Sequence, residues 1–363
     1  MQLISFNEPS EEKKSSFIDY LLIGLCITLL FCSLIWLNVF FINKYSITPR
    51  ELLTVLFFNY RRFDKQEEVV NITSVPPVQR AIWICGASIV AAIAFVLCGS
   101  AVQSLTQNPL ADATTLGFIE ATIFGIICMK GLMGEIIDSS YYHIAYFLFA
   151  LLGGLITLLL ISHLFKKPHH RNQNLQIIFI GLVMNMLFKT ITYLIKTSNA
   201  NSVNTAYALA LGGAENIYGL YTRQFDVLKW LSIAIIILFL LSVLCSNKFN
   251  LFELGEEQAK TFGINVKLFK YFGCTLSLLS ATIAIVLVGN VAFLGLISTH
   301  IVRSIFQTRK YQIIIPAAST LSGVLILLGV FLNSLVPYIS SSMFILWLGG
   351  LTLLSLTLRN KEL

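Results

Sequence analysis

Apolar residues fall in runs of about twenty, the length that crosses ~30 Å of hydrocarbon, separated by short polar turns along nearly the whole chain. The runs lie at 17–42, 82–104, 114–133, 142–165, 175–196, 227–247, 268–289, 290–307, 312–334 and 343–358. The stretch 268–307 is too long for one crossing and breaks most naturally at Gly289–Asn290, so it reads as two spans. The pattern predicts an all-α, polytopic membrane protein of about ten transmembrane helices in one domain, residues 1–363. Ten spans place both termini on the same side. The opening "NEPSEEKKSS" is polar, so residues 1–16 read as a tail. The run after it is too long for a signal-peptide core and is expected to be a retained first span.

Composition narrows the class. The 363 residues are 56% hydrophobic and only 12% charged, with a mean hydropathy of +0.79. Ordinary soluble domains lie far from that balance. The net charge of +7 need not mean nucleic acid, because its placement is one-sided. With the N-terminus inside, fourteen of the 25 Lys and Arg residues fall on the cytoplasmic side, while the short external loops hold only Lys130 and Arg223. That bias is the positive-inside pattern of a membrane protein with both termini cytoplasmic. The long external loop 43–81 carries six more basic residues, but long loops translocate largely regardless of charge. Within it, "SITPRELLTVLFF" reads as a short surface helix, and "VPPVQR" stiffens the return to the membrane. Seven cysteines lie in apolar runs without metal-ligand spacing and read as small buried hydrophobes. No G-x-x-x-x-G-K-[ST] loop is present, so ATP binding through a P-loop is not expected. No metal or nucleophile constellation marks an enzyme, and no cofactor is implied.

Two polar interruptions carry the functional signal. Residues 99–117 read "GSAVQSLTQNPLADATTLG". The second span ends near Leu105, Gln107-Asn108-Pro109 turns the chain, and the next helix is expected from Thr114. Pro109 donates no backbone hydrogen bond, while Thr114 and Thr115 are suited to capping the next helix. Irregular backbone near hydrocarbon needs surrounding protein or water, so tight packing is expected here. Residues 251–267 read "LFELGEEQAKTFGINVK", between the sixth and seventh spans on the cytoplasmic side. Glu256 to Lys260 are good helix formers, the glutamates favour the positive end of the helix, and Gly263 is a plausible stop. A short polar helix outside the membrane suits docking of a cytoplasmic partner. Its small Ala259 reads as the point of close approach.

Together these stretches resemble the FecCD-type permease subunit of ATP-binding-cassette importers for iron–siderophore chelates, haem and cobalamin. The family pattern "G…Q…NPLA(D/E)…LG" is matched at 99–117, and "LGE..A..LG" at "LGEEQAKTFG". "GNVAFLGLISTHIVR" and "YALALGGAENIYG" are weaker matches, with order and spacing preserved over about residues 45–350. Thr299 departs from the family's proline before His300. "PPVQR" and "VPYISSS" depart on the external side. The resemblance implies a type II importer architecture: a homo- or heterodimer of ten-helix permeases around a central channel. Two cytoplasmic ATPase subunits would drive it by alternating access, and an extracellular or periplasmic binding protein would deliver the chelate. Leu254, Gly255, Glu256, Glu257, Ala259, Lys260 and Gly263 would form the coupling segment within loop 251–266. Iron–siderophore is the broadest substrate class of the family, ahead of haem and cobalamin.

Individual residues remain open between roles. Gln103 is a channel-lining candidate or a helix–helix hydrogen bond. Asn108 bonds the turn or meets substrate. Glu120 is an intramembrane carboxylate read as lying near the cytoplasmic end, where solvation or pairing is an equal alternative. Asn185 and Lys189 share one face of the fifth span. They would line the channel and meet an anionic chelate, unless Lys189 snorkels to the interface. Asn174 and Leu175 fall where relatives have a cytoplasmic gate. His300 with Arg303 reads as structural. Arg61, Arg62, Lys65 and Arg80 are candidates for docking the binding protein or are simply solvated. The rival class is a secondary transporter or channel without an ATPase.

Overall fold

The computed structural model describes residues 77–133, 141–164, 173–198, 200–336 and 338–359, and every regular element among them is a helix. In chain order these are α1 (Pro77–Thr106), α2 (Phe118–Met133), α3 (Tyr142–Leu164), α4 (Gln173–Ser198), α5 (Ala200–Leu211), α6 (Ala214–Ile217) and α7 (Gln224–Leu244). They are followed by α8 (Ser246–Glu253), α9 (Glu256–Thr261), α10 (Val266–Val288), α11 (Leu294–Phe306), α12 (Tyr311–Leu335) and α13 (Ser341–Arg359). The expected tail, first span and most of loop 43–81 lie outside the described residues.

Six helices, α1, α3, α4, α7, α10 and α12, are long and apolar enough to cross a membrane. Their bounds agree with the spans read from hydropathy to within a few residues. The most apolar windows of α1 and α10 are 72% and 78% buried, against 22% for α4 and for α7, so the first pair forms the centre of the bundle. Buried small residues line the central pair, including Ala91, Ala94 and Ala101 on α1 and Ser277, Ala281 and Ala284 on α10. Close approach of backbones, rather than exclusion of water, is what holds helices together in hydrocarbon. The same device joins α2 to α3. A Cβ added at Gly153 would lie against the Ala121 carbonyl and 3.0 Å from the Gly125 nitrogen. Gly153→Leu is therefore expected to lower stability by about 3 kcal/mol, because backbone must move. Gly350→Leu, where a Cβ would meet nothing within 4 Å among the described residues, is expected to change little. Thermal unfolding of both variants in detergent checks this.

Two sequence expectations are corrected. Residues 290–307 do not form a complete span. α11 has 13 residues, or about 20 Å, and Gly295 packs on the Phe95 carbonyl, halfway along α1. Residues 289–293 make up the missing length as irregular chain, which is held because Asn290 N donates to Leu209 O at 2.8 Å. Likewise α2 starts at Phe118 rather than Thr114. Residues 107–117 fold inward against α4, until Gly117 (φ 74°) touches the Gly181 carbonyl, where a side chain would not fit. Both half-length starts are thus embedded at mid-height of the bundle.

Candidate functional site

The break between α1 and α2 is built from its own polar groups. Asn108 N donates to Gln103 O at 3.1 Å, and Asn108 Oδ1 accepts from Leu110 N at 2.9 Å. Thr115 Oγ1 donates to Asp112 O at 2.6 Å, so this threonine bonds within the break rather than capping α2. His300 Nε2 lies 2.8 Å from Pro109 O, joining the turn to α11. Asp112 is buried, and its Oδ2 accepts from Phe293 N at 3.2 Å. Phe293 has a positive φ of 64° and directly precedes α11. One carboxylate therefore satisfies an orphan amide at the start of a half-length helix, as helix ends in an apolar setting require. In the sequence Asp112 is only the last residue of "NPLAD", and its partner, 181 residues away, gives no local sign.

Gln103 is 1% exposed, so it does not line an open path. Its Nε2 donates to Thr299 Oγ1 at 3.0 Å and its Oε1 accepts from Arg303 Nη2 at 3.3 Å. Both ends are engaged by α11, which corrects the channel-lining candidate to a helix–helix contact. Glu120 is also moved. It precedes Ala121, whose carbonyl meets Gly153 at the midpoint of α3, so it lies at mid-height rather than near an end. The half-buried carboxylate is acted on by the charge of Lys189 on α4, which is exposed along the chain's own surface. Asn185, one turn before Lys189, keeps a buried Oδ1 without a hydrogen-bond partner among the described residues. Asn174 and Leu175 belong to the first turn of α4 by backbone, and their side chains are outside what is described.

At one end of the bundle, α8 and α9 form a short hairpin against the ends of α1, α10, α11 and α12. Ser104 Oγ donates to Phe249 O at 3.0 Å, Gln107 Nε2 donates to Phe252 O at 3.4 Å, and Tyr311 N donates to Asn250 Oδ1 at 2.8 Å. α9 is a six-residue helix starting after Gly255, whose φ of 129° excludes other residues without strain. It closes with Ile264 N donating to Ala259 O at 3.0 Å and Gly263 N to Lys260 O at 2.9 Å, a Schellman ending with Gly263 at φ 81°. Its two faces differ from the reading by sequence. Ala259 is fully buried within the chain and offers no approach to a partner. Glu256 is 5% exposed and its Oε1 lies 2.6 Å from Lys270 Nζ, itself 3% exposed. Leu254, Glu257, Gln258 and Lys260 to Gly263 are the exposed residues, with Leu254 and Phe262 bared to 62% and 66%. A six-residue amphipathic helix puts Glu256 and Ala259, three apart, on one side, and only tertiary contacts decide which side faces in.

At the opposite end, α5 and α6 fold over the α10–α11 break. Gly213 N donates to Val288 O at 2.7 Å. Glu215, in "GGAENIYG", accepts from Ser341 N at 2.7 Å and from Ser341 Oγ at 3.0 Å, fixing the start of α13. Arg80 is exposed, with its guanidinium 5.9 Å from the Tyr218 ring centre and its charge acting on Glu215. Arg61, Arg62 and Lys65 lie outside the described residues. Among the described residues no group of three His, Cys, Asp or Glu side chains is placed to hold a metal ion.

A family model described as the FecCD transport family matches residues 25–359. IsdF of Staphylococcus aureus (strain Newman), assigned as a haem-iron transport system permease protein, is 25% identical over 231 residues. That alignment spans 64% of this chain and 65% of IsdF, so a little under two thirds of the relative's length is matched. A solved inward-facing conformation of a protein assigned as a metal-chelate type ABC transporter superposes with a TM-score of 0.71 at 18% identity. The superposition covers 94% of this chain and 99% of that one, and at this identity the likeness concerns the fold.

Proposed function

The chain belongs to the FecCD transport family, a multi-pass membrane family, and from that premise we propose that it is the permease subunit of an ATP-driven metal-chelate importer. It would pair with a second permease, take energy from two cytoplasmic ATPase subunits, and receive its chelate from an external binding protein. Both termini and the α8–α9 end would face the cytoplasm. The observation that carries this reading is the outer face of α9. Leu254 and Phe262 are large, apolar and exposed, while the exposed side chains between them are all charged or polar. Such a pair on a rigid, capped hairpin suits an apolar pocket on a soluble partner. The docking face is thus Leu254, Glu257, Lys260 and Phe262, with Gly255 and Gly263 setting its angle. The remaining residues of the expected coupling segment, Glu256 and Ala259, hold it from behind. Co-purification of the tagged chain in mild detergent, followed by mass spectrometry, is expected to recover a P-loop ATPase. Recovery of the chain alone under conditions that preserve membrane complexes would contradict the reading.

Glu120, Asn185 and Lys189 are proposed to border the translocation path. A lysine at this height, exposed on the single chain, would be costly against lipid. Water or a second permease on that face removes the cost, which supports a dimer around an aqueous path. Iron–siderophore is the preferred cargo, and many such chelates are anionic, as is haem. Lys189→Leu is expected to reduce uptake of a ferric catecholate about ten-fold or more, the worth of a charge-assisted contact. Uptake of the neutral cyanocobalamin, if it is carried, should stay within about two-fold. Equal loss for both probes would place Lys189 in a purely structural role. Arg80, beside the Glu215–Ser341 contact, remains proposed with Arg61, Arg62 and Lys65 as a seat for the binding protein.

A further inference from the structure

Glu253 and Glu256 flank Leu254–Gly255, and their carboxylates go to cations on two different helices. Glu256 pairs with Lys270 of α10 at 2.6 Å. Glu253 Oε1 accepts from Arg303 Nη1 of α11 at 3.1 Å, the two side chains being only 19% and 12% exposed. Arg303 reaches further. Its Nη2 donates to Gln103 Oε1 at 3.3 Å and to Tyr311 OH at 3.2 Å, and its guanidinium lies 5.5 Å from the Tyr311 ring centre. One planar fork thereby joins α8, α1, α11 and α12, a task a lysine's point charge cannot reproduce. The other end of α11 is fixed as well, by Phe293 N on Asp112 Oδ2, with His300 on Pro109 O between them. α11, 13 residues long, is thus tied to its neighbours at both ends.

We infer that Arg303 is a positioning residue for transport, carrying displacement of the α8–α9 segment through α11 to the inner part of the break at residues 107–117, where Phe293 N meets Asp112. This rests on the permease reading above. The segment divides what a partner imposes on it: Glu256 passes it to α10 through Lys270, and Glu253 passes it to α11 through Arg303. Gly255, between the two carboxylates, would carry a Cβ that meets nothing within 4 Å among the described residues, and it lets them diverge. Small shifts at one site become larger ones elsewhere only through such discrete, packed connections.

The test uses the assembled importer in proteoliposomes. Ferric hydroxamate, ferric catecholate, haemin and cyanocobalamin serve as transport probes. Arg303→Gln, Arg303→Lys and Glu253→Gln are compared with the unsubstituted chain. Two quantities are read: ATP hydrolysed per chelate moved, and the reactivity of a cysteine replacing Leu110, which is 48% exposed at the tip of the break, with and without ATP. Arg303→Gln is expected to leave assembly and basal hydrolysis within about two-fold. It should raise ATP used per chelate about ten-fold, a span typical of coupling between sites, and erase the ATP-dependent change at position 110. Arg303→Lys should fall between. Combining Arg303→Gln with Glu253→Gln should be no worse than the more severe single variant, since both break one contact. If uptake falls only in proportion to assembled protein, or position 110 still responds to ATP in Arg303→Gln, the inference is overturned. Lack of ATP-dependent uptake by the unsubstituted chain would overturn the permease reading, and this inference with it.

Discussion

Glu256→Lys is expected to remove most of the folded protein from detergent extracts. The change sets a second cation within 2.6 Å of where Lys270 Nζ now meets a carboxylate, in a site where both side chains are at most 4% exposed. Breaking one half of a buried pair costs about 3–5 kcal/mol, because the remaining charge is left without compensation. Like-charge repulsion adds to that, against a total stability of order 5–15 kcal/mol for a typical fold. Glu256→Lys with Lys270→Glu should restore most of the loss, since the pair is re-formed with its ends exchanged. Ala259→Trp should be comparably severe, because the methyl group is fully enclosed and an indole has no room. Size-exclusion profiles and thermal unfolding report all three. Normal yield and melting for Glu256→Lys would mean that α9 is not held to α10.

The opposite face should respond in the opposite way. Leu254→Asp and Phe262→Asp are expected to leave folding intact, since both side chains are more than 60% exposed and no core contact is lost. Capture of the ATPase should nevertheless fail. Central apolar residues of an interface are typically worth ~2 kcal/mol or more each, so each variant should weaken association about thirty-fold or more. The contrast is diagnostic: the inner face of the six-residue helix governs folding, and the exposed apolar residues that flank it govern assembly. Pull-down of the ATPase beside a melting curve separates them. Wild-type capture by the Phe262→Asp and Leu254→Asp double variant would move the docking site elsewhere.

Much of this architecture is legible in the chain, and the failures have definite physical sources. Hydropathy locates α1, α3, α4, α7, α10 and α12 because each is a full-length apolar helix, for which composition alone decides. It overextends 290–307, since Val291, Ala292 and Phe293 are as apolar as α11 itself and tertiary contacts, Phe293 N on Asp112 and Asn290 N on Leu209, tell them apart. The capped, amphipathic nature of α9 follows from Gly255, the glutamates and Gly263. Its orientation does not. Ala259 looks like a surface adapted to a partner until α10 supplies Lys270 behind it. The same limit applies to Gln103. A glutamine on an apolar helix signals a polar contact, but whether with substrate or with Arg303, 200 residues away, is decided by packing. Asp112 could have been found: a carboxylate ending a proline turn between apolar helices must satisfy a donor somewhere.

The central claim is that ATP hydrolysed by a separate subunit drives this chain. A rival, ion-driven transporter would use the mid-height Glu120 and Lys189 as its coupling charges. Uptake into proteoliposomes that hold the chain with its co-purified partners, measured with the binding protein and chelate outside, decides between them. On this account, uptake needs ATP on the α8–α9 side and survives ionophores that collapse proton and sodium gradients. Uptake that proceeds without ATP and stops when those gradients are collapsed would contradict it.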